Sequence, residues 1–192
     1  ISLFFAIPAA IALYILAEPI IATLFNRGEF MADEVTNASK ALALYAFALP
    51  AFILSKILSV SFYAKGDTKT PMKITASCVL LNLILNLILI RHFSFLGIVI
   101  ATIISSWCNI SLLFYILQKN KILILQKTTI HNLIKLLISA IIMGLALYFL
   151  AQHFADIFKQ ESLSRILTLA GVIFSGLVIY ITPIFLLKTK LR

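Results

Sequence analysis

Six blocks of nearly unbroken apolar residues, each about long enough to cross a bilayer, occupy this chain: 1–25, 42–64, 72–90, 97–117, 130–151 and 166–187. A helix needs about 20 apolar residues to span the hydrocarbon, whereas a barrel strand needs about ten, alternating in character. Continuous runs of this length therefore predict an all-α polytopic membrane protein with six transmembrane helices. Composition agrees: 62% of the residues are hydrophobic and the mean hydropathy is +1.09, far from a water-soluble balance.

Charge placement predicts orientation. Lys65, Lys69, Lys73, Lys119, Lys121, Lys127, Lys188, Lys190 and Arg192 follow the second, fourth and sixth blocks, and Lys135 lies just inside the fifth at the same end. The opposite connections hold Arg27, Lys40, Arg91, Lys159 and Arg165 beside Glu29, Asp33, Glu34, Asp156 and Glu161. Ten cations against five over short loops place both ends of the chain in the cytoplasm. The net charge of +9 is thus dealt out to helix ends facing anionic lipid, and no basic face suited to nucleic acid is expected.

Ile1 already lies in an apolar run with no initiating Met, which predicts a longer protein upstream. The basic connection 118–129, with Ile122 to Leu125 between lysines, suggests a boundary between a four-helix unit over 1–117 and a helix pair over 130–192. Pro8, Pro19, Pro50 and Pro183 predict bends, since each removes a backbone hydrogen bond. Ala140 with Gly144, and Gly171 with Ser175, are small pairs that would let the last two helices approach closely.

Polar groups kept in hydrocarbon are costly and mark sites. They are Glu18, Lys56, Asn82, Asn86, Thr102 and Asn109. Asn82 and Asn86 lie one turn apart on one face, and Thr102 returns on the next helix at a comparable depth. Such oxygens could hold a hard cation or tie the helices together by hydrogen bonds. Lys56, too deep to snorkel fully, should face a polar cavity or a carboxylate. His92, His131 and His153 are scattered at span ends, so no nucleophile with its base is assembled and an enzyme is not expected. Cys78 and Cys108 read as buried apolar residues.

Three stretches carry a family resemblance: Leu24 to Phe30 (LFNRGEF), Phe62 to Ile74 (FYAKGDTKTPMKI), and the turn from Asn82 to Asn86 (NLILN). In order and spacing they resemble the MurJ (MviN) lipid II flippases of bacteria, over the ninth to fourteenth of that family's fourteen helices. The resemblance implies a fold of the multidrug/oligosaccharidyl-lipid/polysaccharide exporter type, with two lobes rocking about a central cavity. It implies a transporter of the bacterial inner membrane that moves lipid II outward for cell-wall synthesis, acting with membrane lipids and with the N-terminal part of its own chain. The extra C-terminal helix pair would form a groove for the undecaprenyl tail. The arginines that hold the pyrophosphate would lie in upstream helices, so only Lys56 is a substrate-cavity candidate here. A sodium site in some members would fall on Asn82, Asn86, Thr102 and the Ile98 carbonyl, with Asn86 where an aspartate is expected. A flippase of another polyprenyl-linked glycan, or a membrane scaffold without transport, are the alternative readings.

Overall fold

The computed structural model describes residues 2–25, 32–121, 127–159 and 163–186. All of its elements there are helical: α1 (Ser2–Ile15), α2 (Ala17–Phe25), α3 (Ala32–Ala46), α4 (Leu49–Tyr63), α5 (Lys69–Phe93), α6 (Phe95–Lys119), α7 (Lys127–His153), the short α8 (Ala155–Lys159) and α9 (Leu163–Leu186). Among the described residues five stretches are long and apolar enough to cross a membrane, with α3 and α4 counted as one, and α1 with α2, bent by 70°, makes a sixth if counted as one broken span. The second span begins earlier than its apolar block, at Asp33. Asp33 and Glu34 occupy the first turn of α3, where carboxylates suit the helix dipole. Ile122 to Leu125 and Asn26 to Phe30 lie outside the described residues.

The chain divides into two compact units, one of Leu3–Ala46 with Lys127–Arg192 and one of Phe47–Gln126. This differs from the division at 117 and 130 drawn from the sequence. Loop composition marks where the chain leaves the bilayer, whereas the units reflect which apolar faces pack. In the first unit Ile7 and Leu16 share a core with Leu136, Met143, Leu147 and Tyr180, so the opening helices are built onto α7 and α9.

Packing there also revises the glycine pairs. A Cβ at Gly144 would lie 2.8 Å from Cγ2 of Ile11, a contact with α1 rather than α9, and one at Gly171 would meet nothing within 4 Å. The close approach of α7 and α9 runs instead through Gly176, whose added Cβ would lie 2.8 Å from Cδ2 of Leu147.

In the second unit α5 and α6 form an antiparallel hairpin and α4 packs on α6 through Ala51, Leu58 and Phe62, against Leu113 and Leu117. Gly97, at the start of α6, lies directly on the α5 backbone. The motif from Phe62 to Ile74 is turn chemistry. The N–H of Gly66 donates to the Tyr63 carbonyl and that of Asp67 to the Phe62 carbonyl, with Gly66 at φ +76°. Those two bonds and the left-handed glycine close α4 by a Schellman motif. The Thr70 N–H then donates to Oδ1 of Asp67 at 3.0 Å, which caps α5, and Pro71 is buried in its first turn where a missing N–H costs nothing.

The bonds from Thr70 hold the Asp67 carboxyl below its ordinary value of 3.8. A depressed carboxylate pKa contributes stability that is complete above the unfolded value and lost as pH falls through the folded one. Asp67→Ala should therefore lower the unfolding midpoint at neutral pH. The gap from wild type should close as pH drops below 3.8, which thermal unfolding of the detergent-solubilised chain would read; a gap independent of pH would refute the charged cap.

Candidate functional site

The polar residues of α5 and α6 meet in one seam. Leu89 and Ile90 receive Gly97 closely enough to bring the two helices side by side, and Asn82, Asn86, Thr102, Ser105, Ser106 and Asn109 face each other there. Thr102 donates its hydroxyl to the Ile98 carbonyl at 2.9 Å. Ser105 and Ser106 donate theirs to the Thr102 carbonyl at 3.1 Å and 2.6 Å. With their hydrogens spent on backbone, the Thr102 and Ser105 oxygens are acceptors. This fixes the sense of Asn82, whose Nδ2 donates to Ser105 Oγ at 3.1 Å and to Thr102 Oγ1 at 3.4 Å. Its Oδ1 then accepts from Asn86 Nδ2 at 3.0 Å.

The chain of bonds ends on Asn86 Oδ1, which is buried without a donor, as is Asn109 Oδ1. A cleft of about 180 Å³ opens along the seam between Thr75 and Asn109. The sodium ligand set fits this arrangement poorly. An amide nitrogen, not an oxygen, faces Thr102; Asn82 Oδ1 is already engaged; and no carboxylate lines the seam among the described residues. Hard cations take oxygens, preferably charged ones.

Lys56 lies on the side of α4 turned away from Ala51, Leu58 and Phe62, and is exposed beside Ile57. Glu18 is also exposed, and it lines a cleft at the bend between α1 and α2. Cys78 is a buried free thiol and Cys108 a half-buried one.

Three residues escaped the sequence reading. Arg165, assigned to an outer connection, is 4% exposed in the first turn of α9, and its Nη1 donates to the Ala22 carbonyl at 2.7 Å. Nothing in its neighbourhood of sequence signalled burial. Ser105 and Ser106 had a signal, since 102, 105/106 and 109 follow the helical repeat along one face.

The structure can be set beside known proteins. The family model described as "Lipid II flippase MurJ" matches residues 1–169. The chain belongs to the MurJ lipid II flippase family. A probable lipid II flippase MurJ of Rickettsia prowazekii is 32% identical over 189 residues, covering 98% of this chain and 37% of that protein. One of Rhizobium tropici is 36% identical over 179 residues, covering 93% and 33%. The chain thus spans about a third of the length of these relatives. A solved structure, "Lipid II flippase MurJ, inward closed conformation", superposes with a TM-score of 0.79 at 24% identity, over 99% of this chain and 38% of the other, which shows a shared fold. The chain is a multi-pass membrane protein of that architecture.

Proposed function

We propose that the protein to which this chain belongs moves lipid II, the lipid-linked peptidoglycan precursor, across the bacterial inner membrane by alternating access. The observation that carries this reading is the family match over residues 1–169, supported by the shared fold. Both ends of the chain lie in the cytoplasm in this reading, because the basic residues collect at that end of the spans. The test is complementation by the complete gene in bacteria depleted of their own lipid II flippase, reading survival and outer-leaflet lipid II. Rescue supports the proposal. Failure with the protein demonstrably in the membrane overturns it and favours another polyprenyl-linked glycan.

Lys56 serves as a cavity cation for a phosphate-bearing substrate. Its exposure on the side of α4 away from α6 supports this, as an ammonium in the hydrocarbon zone needs a polar surrounding. Lys56→Ala should reduce rescue in that assay, and Lys56→Arg should retain most of it. Undiminished rescue by Lys56→Ala would remove the lysine from the cavity.

The seam of Asn82, Asn86, Ile98 and Thr102 acts as an interhelical clasp without bound sodium. Replacing sodium by choline should leave the thermal midpoint of the chain unchanged, whereas Asn86→Asp, which supplies a formal charge, should create a sodium-dependent rise. A sodium-dependent midpoint in the unaltered chain would reverse this assignment.

A further inference from the structure

The break between α1 and α2 opens a second cleft, formed by residues other than those of the seam. Pro19 has no N–H to offer the Ile15 carbonyl, one turn back. Both residues line a cleft of about 460 Å³, shared with α3, α7 and α8. The Glu18 carboxylate lines the same cleft, and no described cation pairs with it. Tyr148 lines it too, and its hydroxyl accepts from Gln152 Nε2 at 2.8 Å. That leaves the phenolic hydrogen free to donate. Most of the remaining wall is apolar, from Val35 to Phe158.

The lining residues therefore include one with a carboxylate, one whose carbonyl has lost its helical donor to proline, and one with a hydroxyl donor, at the end of the spans where α7 finishes. Its size is that of a small-molecule site and not of a bare ion. Arg165 does not line it; its guanidinium is engaged with the carbonyl of Ala22, which does. An ammonium group with N–H donors complements the acceptors, a neighbouring phosphate complements Tyr148, and an apolar stem complements the rest. We propose that this cleft binds the headgroup of an ethanolamine phospholipid, with the ammonium on Glu18 and the Ile15 carbonyl. A choline headgroup fails because its trimethylammonium has no hydrogen to donate to either acceptor.

The test is native mass spectrometry of the purified chain in detergent, with dioleoyl phosphatidylethanolamine, phosphatidylcholine or phosphatidylglycerol added singly. A charge-assisted hydrogen bond lost or gained is worth about tenfold in affinity or more. Wild type should retain the ethanolamine lipid about tenfold over the choline lipid, Glu18→Gln should abolish the preference, and Asp33→Asn, an exposed acid at the same end outside the cleft, should keep it. Circular dichroism verifies that each variant remains helical. Equal retention of ethanolamine and choline lipids by wild type, stronger retention of the glycerol lipid, or a preference that survives Glu18→Gln would overturn the site.

Discussion

Gly97→Ala should destabilise the chain by about 3 kcal/mol or more, the upper end of the cost of overpacking. A Cβ there would stand 2.5 Å from both the carbonyl carbon and the oxygen of Leu89, and 2.9 Å from the nitrogen of Ile90. These are backbone atoms of a helix, so no rotamer change relieves the clash and α5 must move away from α6. The asparagine seam lies on the same pair of helices, so a displacement of α5 also lengthens the bonds from Asn82 to Thr102 and Ser105. The comparison is Gly171→Ala, where the new methyl meets nothing within 4 Å. That variant should be neutral or stabilised by up to about 1 kcal/mol through helix propensity. Reversible unfolding in mixed micelles measures both. Equal effects at the two glycines would show that the hairpin can reseat itself around a methyl group and that Gly97 carries no close-approach role.

The contrast between these glycines shows what the sequence could convey. Spacing patterns on one helix are visible in a string of letters, so Asn82 with Asn86 was legible as a face, and the apolar blocks were legible as spans. The partner of a face is not. Gly171 and Ser175 had the right spacing for a contact, yet Gly176 makes it, because the rotation of α9 about its axis is set by Tyr180 and Arg165 reaching α1 and α2. Pro19 predicted a bend but not its size of 70°, which depends on what packs into the break. Arg165 shows the same limit for charge. A lone arginine two residues into a helix reads as a surface residue until the helix end it caps is placed beside it.

The clasp proposed for the seam turns on what each polar side chain already bonds to. Asn82, Thr102 and the Ile98 carbonyl stand where the resemblance puts cation ligands, but a network of neutral donors and acceptors holds itself together. Each hydroxyl hydrogen spent on a backbone carbonyl turns its oxygen toward the Asn82 amide hydrogens. The bonded series that starts at Ser105 and Thr102 stops at Asn86 Oδ1, an open acceptor. A carboxylate at that position would add charge and remove the NH2 that occupies Asn82 Oδ1, freeing two oxygens at once. In the proposed reading, Asn86 is thus the side chain that separates a clasp from an ion site.

The other large effect is expected within the first unit, where α9 meets α1. Pro8 lacks the N–H that would bond the Phe4 carbonyl, and the Tyr180 hydroxyl supplies the missing donor from α9 at 2.7 Å. In hydrocarbon, with no water to take its place, an unsatisfied carbonyl costs about 1–3 kcal/mol by mutational measures. Tyr180→Phe keeps the ring against Phe4, 5.3 Å away between centroids, and removes only the donor; it should destabilise by about 2 kcal/mol. The same substitution in the Pro8→Ala background should cost little, because the restored backbone N–H bonds the Phe4 carbonyl within α1. The double-mutant cycle thus predicts a coupling of about 2 kcal/mol between residues on different helices, read by unfolding all four proteins in the same micelles. An equal cost in both backgrounds would mean that Phe4 was never deprived of a donor, and that proline bends α1 without obliging α9 to repair it.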